Sequence, residues 1–196
     1  MAIGYAMPLV DTDLEAARAM FDVNLWGVVA VTKAFSPLLI AVKGTIIQIS
    51  SIATVLSAPF QSLYAASKCA LDTYSQGLRV ELMPFDVKVV TITTGVISTT
   101  FMENMPRVVI KETSPYYPLN ARLEKMFTEW PSEPQPVGKY AVQVVDKVMQ
   151  DKPIRVWIGG FVWVMYVFSY LPAFVLDWIL SSRAGLSDLK KLRKSK

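Results

Sequence analysis

The chain has 196 residues, 53% of them hydrophobic and 18% charged, with a mean hydropathy of +0.36. That is long and apolar enough for one domain with a real core, and it excludes a disordered chain. Histidine is absent, which removes Ser-His-Asp hydrolysis, imidazole base chemistry and histidine-held zinc, and no metal site is expected; the single Cys69 permits no internal disulfide. The net charge of +4 comes largely from the last eleven residues, where Lys190, Lys191, Arg193, Lys194 and Lys196 cluster, so the body is close to neutral and nucleic acid is not an expected partner.

In chain order, the amino terminus shows no basic stretch followed by a long apolar run, the pattern of a secretory signal, and a cytosolic setting is expected. Thr12-Asp-Leu-Glu15 reads as a capping box that opens a helix running to about Val23. Residues 25–42 are apolar nearly all round, a second helix packed between a sheet and another surface. Gly44 to Ser50 is short and β-branched, the pattern of a parallel strand buried on both faces. A helix is predicted over 62–82, stopping before Pro84, and a second buried strand over 87–93. Residues 98–135, rich in Pro, Ser and Tyr, read as an irregular, mobile insertion covering a substrate. An amphipathic helix over 136–150, with Tyr140, Val144, Val145 and Val148 on one side, and a last strand near 154–157 complete a parallel α/β pattern.

Chemistry concentrates in Tyr64-Ala-Ala-Ser-Lys68, where Tyr and Lys lie one helical turn apart. An ammonium near a phenol stabilises the phenolate and moves its pKa from about 10 towards the working range of a general acid/base. Ser51, thirteen residues earlier, falls at the carboxyl end of the first strand, where open α/β sheets gather their ligands. Alone, a Tyr/Lys pair at this spacing is common by chance and is more often a buried phenol beside a snorkelling lysine. In order, however, the chain carries Asn24-Leu-Trp-Gly27, Gly44-Thr-Ile-Ile-Gln-Ile-Ser-Ser51, Tyr64-Ala-Ala-Ser-Lys68 and Thr94-Gly95-Val-Ile-Ser-Thr99.

That set resembles the short-chain dehydrogenase/reductase family from about Gly4 to at least Gln150. The resemblance implies NADP-dependent hydride transfer to a carbonyl, with Tyr64 as proton donor or acceptor, Lys68 lowering its pKa and holding the nicotinamide ribose, Ser51 orienting the substrate and Asn24 completing a proton relay. Gly95, Val96 and Thr99 match positions that contact the nicotinamide, while Thr94 stands where the family has Pro. It also implies a dimer, with a second copy or a complete paralogue, through the helices around 28–42 and 62–82. The family's amino-terminal strand, glycine-rich phosphate-binding turn and Asn-Asn-Ala-Gly turn have no counterpart, Met1-Ala2-Ile3-Gly4 resembling the remnant of the last of these. The expected fold is therefore an incomplete Rossmann-type doubly wound parallel sheet. The alternative to an active reductase is an inactive truncated paralogue or an incomplete gene model, serving at most as an interaction partner.

Residues 156–176 run without a charge and are rich in Trp and Tyr, with Pro172 dividing them. They read as a membrane-associated hairpin or interfacial helix, with a spanning helix and a soluble lid left as alternatives. Trp157, Trp163, Tyr166, Tyr170 and Trp178 suit an interfacial belt, and the basic tail suits an anionic cytosolic leaflet. With Gly185-Leu186 beyond it, this segment resembles the fungal 1-acyldihydroxyacetone-phosphate reductase-like branch. That resemblance implies a hydrophobic ketone or alcohol from lipid or secondary metabolism, met at the cytoplasmic side of the endoplasmic reticulum or a lipid droplet, with the open cytosol as the other setting. The expected divisions are 1–153 for the catalytic part, 154–183 for the last strand and apolar helices, and 184–196 for the basic tail.

Overall fold

The computed structural model describes residues 2–56, 58–101, 103–128, 133–150 and 153–194, the last three by their backbone only. Pro131, Lys196 and Met1 lie outside the described residues, as do the side chains of Arg193 and Lys194.

Three parallel strands, β1 (Thr45–Ile49), β2 (Lys88–Thr94) and β5 (Arg155–Ile158), form a sheet in the order β1-β2-β5. Ile46 pairs with Val89, and Ile92 with Val156. Two short strands, β3 (Ile97–Ser98) and β4 (Gln135–Pro136), pair beyond the end of β2. The central strand is buried on both faces because its β-branched residues alternate between two helical layers. On one face Val87 and Val89 join Ile46 against Leu39 and Ile40 of α2 (Gly27–Ala41) and Leu78 and Leu82 of α3 (Ser62–Leu82). On the other, Val90, Ile92, Val156 and Ile158 meet Tyr140, Val144 and Val148 of α5 (Val137–Met149). Val145 does not join them; it faces solvent, since its place on α5 lies off the stripe at i, i+4 and i+8.

β1 departs from the doubly buried expectation. Ile46 and Gln48 are covered, but Ile47 and Ile49, on the α5 side, remain 41% and 44% exposed. Within this sheet, the residues packed against α5 come from β2 and β5, none from β1.

The first helix also differs from its expected form. Asp13, not Thr12, caps α1 (Leu14–Phe21), its carboxylate accepting from the amides of Glu15 and Ala16, while Thr12 donates to the Pro8 carbonyl. α1 does not stop near Val23 but passes through one π-helical turn, Asp22–Trp26, directly into α2. The 28-residue helix is long and apolar enough to cross a membrane by length and composition. A π turn inserts one residue into the helical register, and here it carries the buried Asn24.

The irregular insertion is better packed than its composition suggests. Met105, Val108, Ile110, Leu119, and Leu123 and Phe127 of α4 (Asn120–Thr128) close over Ala6 and Leu189 in a core of their own. Residues 156–176 form no single helix: β5 is followed by α6 (Val162–Phe168), a turn, and α7 (Ala173–Ala184), with Pro172 at the start of α7 and Gly185 in the left-handed conformation ending it. A last helix, α8 (Leu186–Lys194), packs on α7.

Candidate active site

β1 and β2 end side by side, and the chain leaving each turns across the same mouth. Ser51 begins a 3₁₀ turn whose first amides need an acceptor, and its hydroxyl accepts from the Ala53 amide. α3 then brings Tyr64 and Lys68 to the same side, one turn apart. Past β2, Gly95 lets the chain cross β5 closely: its amide donates to Ile158 at 2.8 Å, and Val96 and Gly160 exchange hydrogen bonds of 2.8 and 3.0 Å. These segments enclose a cavity of about 680 Å³ lined by Ser51, Tyr64, Lys68, Gly95, Val96 and Thr99. Six of the seven expected site residues thus share one cavity.

The seventh, Asn24, is buried behind it. Its side chain accepts from the Ile3 amide at 2.9 Å and donates to the Ile3 carbonyl at 2.9 Å and to Ser67 Oγ at 3.2 Å. Asn24 therefore ties the incoming chain to α3, next to Lys68, from the π turn.

Burial dominates the electrostatics. Contrary to the expectation that Lys68 lowers it, the Tyr64 phenol stands above its ordinary 10, because burial pushes it up and a hydrogen bond to Ser51 pulls back less strongly. Burial brings the Lys68 ammonium down to about 8, opposed by the charge of Asp72. Lys68 Nζ donates to the Ile49 carbonyl at 3.2 Å, which fixes it at the end of β1. The Tyr64 ring lies 5.9 Å from that of Phe101, and both residues line the cavity.

Sequence reasoning missed several groups here. Thr94 and Tyr140 hydroxyls meet at 2.8 Å in the same wall, linking the end of β2 to α5. Met165 and Phe168 of α6 and Ile179 and Leu180 of α7 supply an apolar side that only the tertiary fold brings near. Asp72, ion-paired with Arg155, lies four residues after Lys68, and that helical spacing was the signal available.

A parallel sheet with a hydroxyl, a phenol and an ammonium gathered where its strands end defines a Rossmann-type α/β protein with an acid/base site. The model of the short chain dehydrogenase family matches residues 2–108. The NADPH-dependent 1-acyldihydroxyacetone phosphate reductase of Saccharomyces cerevisiae is 34% identical over 197 residues, covering 96% of this chain and 64% of that protein. The short-chain dehydrogenase fogD of Aspergillus ruber is 34% identical over 159 residues, 81% of this chain and 56% of the relative. A short-chain dehydrogenase from Burkholderia cenocepacia, solved in complex with NADP, superposes with a TM-score of 0.70 at 25% identity, over 92% of this chain and 65% of that one. The chain belongs to the short-chain dehydrogenase family of oxidoreductases, and it spans about 56–66% of the length of the first curated relatives it matches.

The donor set fits the nicotinamide end of a dinucleotide. Lys68 and Tyr64 offer polar groups for a ribose, and the chain at Gly95, Val96 and Thr99 forms the wall against which a flat ring would lie. No glycine-rich strand-turn-helix for the phosphates is among the described residues.

Proposed function

We propose that this chain carries the catalytic part of an NADP-dependent carbonyl reductase acting on a hydrophobic ketone, a lipid or secondary-metabolite intermediate. The observation behind the proposal is the cavity that gathers Ser51, Tyr64 and Lys68 against an apolar wall. Bound NADPH supplies a hydride to the carbonyl carbon. The Ser51 hydroxyl holds the carbonyl oxygen, and Tyr64 gives that oxygen its phenolic proton, so that ketone becomes alcohol. Lys68, charged at neutral pH, offsets the negative charge left on the phenolate and holds the ribose, and Asn24 steadies the turn behind it. These roles fall on residues that the sequence singled out.

The same reading covers the setting. α6 and α7 line the cavity with Met165, Phe168, Ile179 and Leu180 while they and the turn between them leave Trp163, Val167, Tyr170, Phe174 and Trp178 exposed to solvent, and exposed Lys190 and Lys191 follow. That combination supports docking on an anionic cytosolic membrane or lipid-droplet surface from which a hydrophobic substrate is taken. Exposed Val31, Phe35 and Leu38 on α2 support a homo- or heterodimer.

The test is NADPH oxidation with a long-chain ketone by the full chain and by Tyr64→Phe, beside calorimetric titration with NADPH. Turnover that drops by about 10²–10⁴-fold in a folded Tyr64→Phe protein supports the reading. Unchanged turnover overturns the role of Tyr64, and failure to bind at millimolar NADPH overturns catalysis by this chain alone.

A further inference from the structure

Next to Lys68 lies an ion pair that the proposed reaction does not use. Lys68 and Asp72 stand one turn apart on α3, at 4% and 6% exposure. A carboxylate that deep needs a partner. Arg155 of β5 provides one, its guanidinium paired with Asp72 Oδ2, so the ion pair joins α3 to the far edge of the sheet past β2. The other carboxylate oxygen, Oδ1, is buried without a hydrogen-bond partner among the described residues. Arg155 therefore satisfies Asp72 only in part, and the remaining charge acts on its surroundings through a medium that screens poorly. Among the described residues, Lys68's own helix brings Tyr64 and Asp72, with Cys69 also feeling the Asp72 charge; β1 brings the uncharged carbonyl of Ile49; Tyr140 of α5 and Arg183 of α7 line the same cavity; and Arg155 reaches Asp72 from β5.

We propose that Asp72 is a positioning residue that keeps the Lys68 ammonium charged, and that Arg155 sets how much of the Asp72 charge Lys68 feels. This rests on reading Lys68 as the residue that supports the Tyr64 phenolate, and it extends the site by a layer. Burial alone favours a neutral amine at Lys68, and the Asp72 charge is what opposes it. A neutral amine leaves the phenolate without its counter-charge. The ion pair thereby couples the last strand of the sheet to the proton donor.

The experiment is a pH titration of Lys68 Nζ by nitrogen-15 NMR in the lysine-labelled full chain, its resonance assigned by its absence in Lys68→Met. The variants are Asp72→Asn, Arg155→Gln and Arg155→Lys. Asp72→Asn is expected to lower the Lys68 midpoint by about two pH units, the scale of a unit charge one helical turn away in a protein interior. Arg155→Gln is expected to raise it, because the full Asp72 charge is then felt, and Arg155→Lys to leave it near the parent value. A purely structural pair would give shifts of the same sign, or none, in Asp72→Asn and Arg155→Gln, since both break the same contact; either result overturns the proposal. Should Asp72→Asn fail to fold, the comparison of Arg155→Gln with Arg155→Lys decides alone, an upward shift only in the former supporting the proposal and its absence overturning it. The readout needs no turnover, so a chain that fails to reduce any ketone would sink the reductase reading while leaving this titration to be judged by itself.

Discussion

Gly95→Ala tests how the mouth of the sheet is built. A Cβ placed on Gly95 would lie 2.2 Å from the Gly160 carbonyl oxygen and 3.0 Å from the Gly159 carbonyl carbon, both backbone atoms. Reaching even 3.0 Å requires the ends of β2 and β5 to part by about 0.8 Å, and no side chain can swing away to spare them. The hydrogen bonds from Gly95 to Ile158 and between Val96 and Gly160 hold that crossing together. At about 1 kcal/mol net for each bond weakened, plus strain, the substitution should cost roughly 2–4 kcal/mol. For a chain of this size that is a fall in Tm of roughly 5–15 °C by differential scanning calorimetry. Gly138→Ala is the control, because a Cβ there meets nothing within 4 Å and the residue sits in α5. It should leave Tm unchanged or raise it by about 1–3 °C. A Gly95→Ala protein melting within a degree of the parent would refute the claim that this crossing is tight.

Lys68→Met should raise stability at neutral pH. A group whose folded pKa is depressed contributes stability above its unfolded pKa and loses it as pH falls through the folded value. Lys68, brought from 10.5 to about 8, is therefore a burden at pH 7 of roughly 3 kcal/mol at about 1.36 kcal/mol per pKa unit, so the gain read by urea denaturation should fade between pH 8 and 10.5; an equal gain at every pH would contradict it. Leu123→Ala, at a fully buried position between α4 and α8, should cost about 2–5 kcal/mol and open residues 98–128 to limited proteolysis, whereas an unchanged digestion pattern would mean that the insertion has no core of its own. Tyr140→Phe, removing the 2.8 Å bond to Thr94, should cost about 1 kcal/mol by the same denaturation assay. Replacing Trp163 and Trp178 together by Ser should abolish co-sedimentation with phosphatidylserine vesicles while the far-ultraviolet spectrum is retained; undiminished binding would remove α6 and α7 from the proposed contact.

The β-branched runs at Thr45–Ile49 and Lys88–Thr94 were legible as strands because β-branched residues leave a local signature, although the double burial read from it holds for the second and not for the first. The Tyr64/Lys68 pair was legible because helical spacing alone brings the two together. The continuous helix from Leu14 to Ala41 was not, since the π turn that joins its halves answers to hydrogen bonds between Asn24 and Ile3, twenty-one residues away. The insertion was misread for a related reason: Pro and Ser between 98 and 135 dominate its local pattern, whereas Met105, Val108 and Leu123 find their partners in Ala6 and Leu189 at opposite ends of the chain. Asp72 and Arg155 are eighty-three residues apart, and only the sheet order, with β5 beside β2, makes them neighbours.

On the proposed reading, the acid/base groups and the grip on a dinucleotide are separable in this fold. Ser51, Tyr64 and Lys68 are held by β1, α3 and the buried bonds of Asn24, all of them within a packed layer that includes Leu78, Leu82 and Val89. The uncovered stripe of Ile47 and Ile49 lies on the opposite face of the same strand. Coverage of that stripe bears on the stability of β1 and on whatever binds over its end, since Ile49 lines the same cavity as the trio, while α3 and Asn24 hold the trio from within the packed layer. The protonation of Tyr64 and Lys68 can thus be measured on this chain whether or not it holds NADPH, and a loss of hydride transfer would not by itself mean that the proton donor is misplaced.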